Sequence, residues 1–252
     1  MTALPGDFWD TLPLGAGVKL LARDANGLAA FDKPAGLLSH ANGSEDEARS
    51  LLTCRYDKEA ECFTWKTVDG APRQLWLLNR LDSATSGVIL LATSEKLARA
   101  IREHFLKKQV RKVYQALVFG KPQLNSGCWR DQLAVKKAHG QIRTATTGNV
   151  PSETLYQLLR HTQKTFSTAV IRLEPRTGRS HQLRVQCAKR HLPIVGDQTY
   201  GNFSLNRSFA KLARSKRLFL HSFETNFTYE FAGRKHTFQA SAPVPAEFLA
   251  VY

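Results

Sequence analysis

Cysteine is scarce in this chain, and its spacing excludes two common uses. The 252 residues include four cysteines and no CxxC pair: Cys54, Cys62, Cys128 and Cys187. Structural zinc sites and disulfide frameworks both depend on closely or regularly spaced cysteines, so neither is predicted. We expect the four thiols to be reduced.

Long apolar stretches are missing as well. No run of about 18 apolar residues occurs, so no segment is predicted to cross a bilayer as a helix. The N-terminal stretch MTALPGDFWDTLPLG has two acidic residues and no base before Lys19. This is unlike a secretory signal or an Arg-rich transit peptide. We therefore expect a soluble protein of the cytoplasm.

Several common catalytic and phosphate-binding motifs are also absent. The chain has no GxxxxGK phosphate loop, no GxGxxG opening a helix, no HExxH and no GxSxG. Ser86 in TSG lacks the flanking glycine of an esterase nucleophile, and the eight histidines show no paired metal-ligand spacing. We expect a reaction without a metal or other cofactor, within the reach of a carboxylate, a tyrosine and an arginine.

Acidic residues are few relative to basic ones. Lys and Arg number 36 against 21 Asp and Glu, a formal net charge of +15. This excess favours a polyanionic partner, such as nucleic acid or an acidic membrane surface. Solvated helix faces normally mix both signs, so segments dominated by bases predict phosphate contacts, with a solvated surface as the alternative. Three segments concentrate the bases: Lys96, Arg99, Arg102, Lys107, Lys108, Arg111, Lys112 and Lys121; Arg172, Arg176, Arg179, Arg184, Lys189 and Arg190; Arg207, Lys211, Arg214, Lys216 and Arg217.

The first half of the chain predicts a mixture of strands and helices. Residues 1–16, rich in proline and glycine, predict an extension over the surface. Residues 18–31 form two apolar runs joined at Asn26-Gly27, the pattern of a hairpin. Residues 44–56 suggest a helix that begins at Ser44, with three acids in its first turn. The apolar run at 88–92 predicts a buried strand, and 94–109 a helix capped by Ser94.

The second half predicts mainly strands. Residues 112–120 have the Val, Tyr and Phe content of a strand, whereas 123–150 are polar and predict loops. Strand-like patterns resume in SETLYQLL, FSTAVIRLE and RLFLHSFETNFTYE, and the last turns at Ala232-Gly233 into RKHTFQAS. The fold class predicted is α+β, with a largely antiparallel sheet.

One short motif stands out against this background. LLNRLDSATSGVILLA places Asp82 after an arginine and before a Thr-Ser-Gly turn, between two leucine-rich runs. Alone, it is compatible with a turn aspartate that closes a loop. However, NRLDSATSG resembles the HRLDxxTSG signature of the RluA-type family of pseudouridine synthases. Further segments fall in the family's order: FDKPAGLLSH, RKVYQALVFG, EPRTGRSHQLRVQ, LPIVGDQTYG and RLFLHSFETNF.

This resemblance spans about residues 18–245 and implies both a fold and an activity. The expected fold is the α+β pseudouridine synthase fold: a mixed, mostly antiparallel sheet with flanking helices and loops around a central RNA-binding cleft. We expect an extension at 1–16 and a catalytic domain at 17–252, without an S4-type RNA-binding module. The expected activity is the cofactor-independent isomerisation of uridine to pseudouridine in rRNA or tRNA, by a monomer.

The resemblance also assigns catalytic roles. Asp82 is the nucleophile that engages C1′ of the target ribose, through either an ester or an eliminated glycal. Arg184 pairs with this aspartate as a permanently charged partner, although a generic phosphate contact is the alternative from composition. Tyr114 stacks on the target base, whereas an ordinary aromatic of a sheet face is the alternative.

Further residues are expected to bind the RNA substrate. Arg80 helps to fill the space left by the extruded base, or binds phosphate. Leu218 and Leu220 pack against the tyrosine or the base, or belong to the core. Thr85, with the Ser-Gly that follows, shapes the turn that presents Asp82. Lys33, Arg179 and His181 complete the predicted set; the first two, with Gly36 and Gly178, are expected near the RNA backbone or in turns of the domain.

Three departures from the family pattern indicate a divergent branch. Asn79 replaces the usual histidine, Ser39 replaces a valine, and Gln186-Cys187 stands where the pattern continues with histidine. None of them removes a predicted catalytic group, so we expect an active enzyme. The competing interpretations are a catalytically dead relative that only binds RNA, and a basic ribosomal or chromatin protein.

Overall fold

A single curled sheet of twelve strands organises the computed structural model, which describes residues 8–138 and 141–249. Its main path runs β3-β4-β5-β6-β11-β7-β10-β9-β8, with β2 between β1 and β6 and with β12 beside β11. The first six strands are β1 (Lys19–Arg23), β2 (Leu28–Lys33), β3 (Arg55–Asp57), β4 (Cys62–Lys66), β5 (Pro72–Leu77) and β6 (Ser86–Ala92). The other six are β7 (Arg111–Phe119), β8 (Ser126–Ala138), β9 (Gln141–Gln163), β10 (Ser167–Pro175), β11 (Leu220–Phe231) and β12 (Arg234–Ser241).

Within the described ranges, four α-helices lie against this sheet: α1 (Glu95–Leu106), α2 (Gln182–Lys189), α3 (Phe203–Ala213) and α4 (Ala246–Leu249). Short 3₁₀ helices occur at Phe8–Thr11 and Ser44–Arg49. None of the helices in the described ranges has the length and apolar character needed to cross a membrane. Among the paired strands of these ranges, β6 and β11 run parallel and the other pairs antiparallel, as the sequence predicted.

Strand β6 lies at the centre of the core because it is apolar on both faces. All seven of its residues are buried. Val88 and Leu90 pack on one face with α1, and Ile89 and Leu91 pack on the other. Full burial of such a side chain contributes roughly 1.5–3 kcal/mol. This rigid strand directly follows the loop that carries Asp82, so the core fixes where that loop begins and ends.

The predicted hairpin and the first helix form as expected. Gly27 adopts φ +90° in the turn between β1 and β2, where a residue with a side chain would be strained. Ser94 caps α1, since its hydroxyl accepts a hydrogen bond from the Leu97 amide at 3.3 Å. The buried residues Leu97 and Ile101 anchor the helix to the sheet.

The helix predicted for residues 44–56 is wrong in type and length. A 3₁₀ helix covers only Ser44–Arg49, and its N-cap is Gly43 rather than Ser44. The chain extends immediately afterwards because Leu51 and Leu52 are both fully buried. One narrow helix stripe cannot easily bury two adjacent leucines completely.

The loop predicted for residues 123–150 is also wrong over the described part of that stretch; residues 139 and 140 lie outside the described residues. Much of it belongs to β8 and the start of β9, the two longest strands of the sheet. Pairing between β8 and β9 satisfies the backbone hydrogen-bonding groups and does not require apolar side chains. Ion pairs between the strands, such as Arg130 with Glu153 at 3.0 Å, add to the stability of a polar strand pair. Helices α2, α3 and α4 were not predicted.

The described part of the segment before β1, residues 8–16, packs against the sheet. In its described part, Phe8, Trp9, Leu12 and Leu14 are partly buried and pack against the core beside β2. Leu14 also forms an isolated antiparallel bridge with Leu52. These contacts make residues 8–16 a cover for one face of the sheet.

Candidate active site

A cleft of about 710 Å³ opens where several loops meet the sheet. The loop between β5 and β6 brings Asp82, β7 brings Tyr114, α2 brings Arg184, and the start of β11 brings Leu220. The sequence separates Asp82 from Arg184 by 102 residues. The fold therefore gathers the three predicted catalytic residues in one cavity.

The backbone around Asp82 is held from several sides. The Thr85 amide donates to the Asp82 carbonyl at 3.0 Å, and the Gly36 amide donates to the Ser83 carbonyl at 2.8 Å. Ser39 is buried and bonds twice to Leu81, donating to its carbonyl at 2.7 Å and accepting from its amide at 2.9 Å. These contacts fix the direction in which the Asp82 side chain leaves the loop.

The floor of the cleft is a chain of three charges: Asp82, Arg184 and Asp197. Arg184 Nη1 donates to Asp82 Oδ2 at 3.0 Å. Its Nε and Nη2 donate to the two oxygens of Asp197, both at 2.8 Å. Only 9% of the Arg184 side chain and 1% of that of Asp197 are exposed, against 29% for Asp82. The guanidinium is thus clamped from behind and presents one edge to Asp82.

The electrostatics of the floor keep the arginine charged. Burial raises the pKa of Asp197, but hydrogen bonds and charge from Arg184 outweigh it and leave the pKa below its usual value. Burial alone would lower the pKa of Arg184, but the negative charges and hydrogen bonds of Asp197 and Asp82 outweigh that effect and raise it. The Thr199 and Tyr200 amides also donate to Asp197, at 2.8 and 3.0 Å.

His181 lies beside this floor in an unusual backbone conformation. Its φ is +54°, a left-handed value at the N-cap of α2. The Nε2 atom lies 3.7 Å from Asp82 Oδ2, and Nδ1 lies 2.9 Å from the Tyr200 hydroxyl. Burial, with a contribution from Arg184, lowers the pKa of His181 although Asp82 opposes the shift. A neutral imidazole therefore faces the carboxylate at neutral pH.

Tyr114 presents its ring to the cleft from β7. It is partly buried and packs against the core clusters on both sides. Burial raises the pKa of Tyr114 to about 12, a hydrogen bond with Ser222 opposes the rise, and the charge of Asp82 adds to it. The phenol is therefore neutral at physiological pH. Leu220, also at the cleft, supplies an apolar surface on the neighbouring strand.

The rim of the cleft is basic. Among the described residues that line it, Lys and Arg outnumber Asp and Glu by seven to two. Besides Arg111, which is paired with Glu174, four exposed bases line the cleft, and we call them the rim: Arg80, Lys108, Arg176 and Arg179. Glu174 is one of the two acids, and it is engaged by Arg111 at 2.9 Å and by Arg172 at 2.8 Å. The cleft thus combines a carboxylate held by a buried arginine with a cationic entrance, which suits a polyanionic substrate.

The three basic segments do not contribute equally to this entrance. The first and second supply lining residues, whereas none of the third lies among the described residues of the cleft. Arg217 of the third is largely buried, bonded to Ser86 and stacked on Phe248. Lys189 and Arg190 of the second pair with Asp131. Several bases therefore stabilise the fold instead of forming a continuous track.

Comparisons with known proteins agree with this geometry. The profile of the family described as RNA pseudouridylate synthase matches residues 27–189. A tRNA pseudouridine synthase C from Salmonella typhi is 31% identical over 231 residues, which cover 84% of this chain and 81% of the relative. The chain belongs to the RluA-type family of RNA pseudouridine synthases.

Other relatives and solved structures extend the likeness. A tRNA pseudouridine synthase C from Vibrio cholerae serotype O1 is 32% identical over 221 residues, covering 81% of this chain and 83% of the relative. One from Pectobacterium carotovorum subsp. carotovorum is 31% identical over 229 residues, which are 86% of this chain but 57% of that relative. The structure of Human RNA Pseudouridylate Synthase Domain Containing 4 has a TM-score of 0.65 at 24% identity, covering 92% of this chain and 90% of that one. It establishes the likeness of fold.

Two residues predicted to bind RNA, Lys33 and Leu218, are buried and therefore not available for contact with the substrate. Lys33 is fully buried, and its ammonium donates to the carbonyls of Pro34, Leu37 and Ser83 at 2.9, 2.8 and 3.1 Å. Burial lowers its pKa to about 7. The alternative role in a turn therefore describes Lys33 better than an RNA contact. Leu218 is a core residue 3% exposed and is not among the residues that line the cleft in the described ranges.

The departures from the family pattern have structural uses. Asn79 Oδ1 accepts a hydrogen bond from the Leu90 amide at 2.9 Å, which ties the Asp82 loop to β6. Gln186 is fully buried and bonds Thr154 at 2.6 Å and Asp131 at 2.9 Å. Neither Asp197 nor Tyr200 was singled out from the sequence, although both lie in LPIVGDQTYG. Their importance follows from their contacts with Arg184 and His181.

Proposed function

We propose that this pseudouridine synthase modifies a uridine of tRNA, with Asp82 as the nucleophile. The observation that carries the proposal is the carboxylate of Asp82 held at 3.0 Å by the buried Arg184 at the bottom of a cleft with a basic rim. The choice of tRNA over rRNA rests on the names of the bacterial relatives, which are tRNA pseudouridine synthase C.

In the proposed reaction, the Asp82 carboxylate attacks C1′ of the ribose and the bond from C1′ to N1 of uracil breaks. The freed uracil rotates, its C5 bonds to C1′ and the carboxylate leaves. The C5 proton is then lost and N1 takes up a proton. Loss of the C2′ proton to give a glycal is the alternative course. Both need an ionised carboxylate out of bulk water, and the buried guanidinium of Arg184 favours that form.

The surrounding residues would hold the extruded base. Tyr114 offers a neutral aromatic face, and Leu220 offers an apolar contact from the adjacent strand. Arg80, exposed at the rim, is suited to fill the space that the base leaves in the RNA. Thr85 fixes the turn, and Arg179 and His181 line the approach to Asp82.

The complete set of proposed catalytic groups comes from one chain, which supports action as a monomer. A tRNA substrate further implies a cytoplasmic enzyme. We assign the whole of residues 17–252 to this catalytic domain because β1 to β12 form one sheet.

The test compares wild type with Asp82→Asn, which keeps the size of the side chain and removes its charge. Each is incubated with tRNA and rRNA that lack the modification, and pseudouridine is mapped by carbodiimide-induced stops of reverse transcription. We expect a stop at a tRNA uridine with wild type alone, and a loss of at least about 10³-fold in the rate with the variant. Equal stops with both proteins would refute the role of Asp82. Binding of RNA without any stops would indicate a catalytically inactive RNA-binding protein.

A further inference from the structure

A second concave surface lies at the end of the sheet opposite the cleft. It has a volume of about 1230 Å³ and is lined by three of the four tryptophans of the chain: Trp9, Trp65 and Trp76. We call it the Trp groove. It forms where the 3₁₀ helix Phe8–Thr11, the turn between β1 and β2, and strands β4 and β5 meet.

Strand β6 separates the groove from the catalytic cleft. Thr85, just before β6, lines the cleft, and Thr93, just after β6, lines the groove. A strand rises about 3.3 Å per residue, so the two ends of β6 lie about 20 Å apart. A nucleotide adjacent to the target uridine cannot reach that far. Any RNA in the groove therefore belongs to another part of the molecule.

The groove is positively charged. Among the described residues, its basic lining consists of Arg23, Arg55, Lys66 and Arg73, and its acidic lining of Asp24. The Asp24 carboxylate is committed to the fold, because it accepts hydrogen bonds from the amides of Asn26 and Leu28 at 2.9 and 3.1 Å and from the Tyr229 hydroxyl. Arg55 and Lys66 are exposed.

The tryptophans are placed where they can stack with a ligand. Trp9, Trp65 and Trp76 are each only partly buried. Trp65 and Arg73 are direct partners across β4 and β5, so a ring and a guanidinium lie side by side. Aromatic rings among Lys and Arg are the combination with which proteins hold single-stranded nucleic acid, since bases stack on the rings and phosphates meet the cations. An acidic peptide would use the charges but would not stack on the indoles, which reach the groove from both faces of β4 and β5.

We propose that the Trp groove binds unpaired nucleotides of the RNA substrate at a distance from the target uridine, so that the enzyme contacts its RNA at two places. The inference rests on the proposed function in one respect, namely that the substrate is an RNA larger than the modified loop. The groove would then contribute to the choice of RNA, and the cleft would select the uridine.

The first test removes charge from the groove without touching the cleft. Arg55→Ala/Lys66→Ala is compared with Arg234→Ala/Lys235→Ala, which removes the same charge from exposed positions of β12. For the full-length tRNA that wild type modifies, we expect the groove variant to raise KM roughly fivefold to tenfold, because two phosphate contacts are lost. Its kcat should be unchanged, and its KM for a short stem-loop with the same uridine should stay within about twofold of wild type. The control should match wild type on both RNAs.

The second test addresses stacking directly. Trp65→Phe keeps an aromatic face and Trp65→Leu removes it, and melting temperatures establish that both variants are folded. We expect Leu to weaken the binding of a single-stranded oligouridylate about fivefold or more, with Phe close to wild type.

Equal KM values for the groove variant and its control on full-length tRNA would overturn the proposal, as would equal oligouridylate affinity for the Leu and Phe variants. Failure of the proposed function gives a different result: wild type itself then leaves every uridine unmodified. In that case the oligouridylate measurement still decides whether the groove binds RNA.

Discussion

The floor and the rim of the cleft both use arginine, in opposite surroundings. In the floor, Arg184 is buried and makes three hydrogen bonds to two aspartates. At the rim, Arg80, Arg176 and Arg179 are exposed. A buried ion pair is costly to break because the remaining charge has lost its water, whereas an exposed cation is well hydrated and screened by salt.

The buried and the exposed arginines therefore have different tasks, which the net charge of the protein does not reveal. The floor fixes the ionisation and direction of one carboxylate, so its residues should govern the rate of the chemical step and the stability of the fold. The rim attracts and orients phosphates, so its residues should govern affinity and its dependence on salt. Variants in each region can therefore be distinguished by which quantity changes.

Replacement of Arg184 should have the largest effect on the stability of the fold. Arg184→Met removes the positive charge and leaves Asp197, which is 1% exposed, as a buried carboxylate without its ion-pair partner. We therefore expect a loss of about 3–5 kcal/mol in the free energy of unfolding. The rate of modification should also fall by 10²-fold or more, because nothing equivalent stabilises the Asp82 carboxylate. Urea denaturation and single-turnover kinetics measure the two effects.

Arg184→Lys is the matched control, since it keeps the charge and loses the fork that spans two aspartates. We expect it to recover a good part of the stability but little of the activity. Full activity in the lysine variant would show that charge alone suffices and that the geometry of the guanidinium is irrelevant.

Outside the floor, the buried His221 at the start of β11 should make the stability of the fold sensitive to acid. It is fully buried, with Nδ1 2.8 Å from the Ser86 hydroxyl and Nε2 3.3 Å from the Ala242 carbonyl. Burial, with a smaller effect of Arg217, lowers its pKa from 6.5 to about 4 although the Ala242 carbonyl opposes the shift. As the pH falls below 6.5 the unfolded chain takes up a proton that the folded protein excludes, so stability is lost down to about pH 4.

The expected loss is up to about 3 kcal/mol at pH 4, from 1.36 kcal/mol per pKa unit. His221→Gln lacks the titrating group, so the free energy of unfolding of wild type should fall relative to that of the variant between pH 7 and pH 4. Urea denaturation at several pH values provides the measurement. Parallel curves for the two proteins would contradict this prediction.

The sequence predicted best those elements whose pattern has one physical cause. Strand β6 was predicted because a short run that is apolar on both faces is expected to be buried. Helix α1 was predicted because the N-cap residue Ser94 and the apolar stripe of Leu97 and Ile101 both indicate a helix over the same residues. Strand β8 and the start of β9 were missed because their sequences are polar and show no clear alternation of apolar and polar residues, whereas the later part of β9 was predicted from SETLYQLL. For Lys33, the sequence left a contact with RNA and a role in a turn open, because lysine is almost never fully buried unless its ammonium finds partners, as it does here with three carbonyls.

In the site, the resemblance to a family located Asp82, Tyr114 and Arg184, and the fold brought them into one cleft. No spacing rule could have done so, since Asp82 and Arg184 are 102 residues apart. Asp197 was missed although it is only 13 residues from Arg184. In the sequence, an aspartate that follows a glycine predicts only a turn. The ion pair between Asp197 and Arg184 forms because the fold brings α2 next to that turn.

The rim should show the smallest effects, and two neighbouring lysines allow a controlled comparison. Lys108 is exposed and lines the cleft, whereas Lys107 pairs with Glu103 at 2.7 Å on the surface of α1. Lys108→Ala should raise KM a few-fold at moderate salt and leave kcat unchanged. It should also reduce the slope of log affinity against log salt by about 0.7, the value for one phosphate contact on a single strand. Lys107→Ala removes the same charge one residue away and should change neither quantity. If the two variants behaved alike, net charge and not position in the cleft would determine the affinity for RNA.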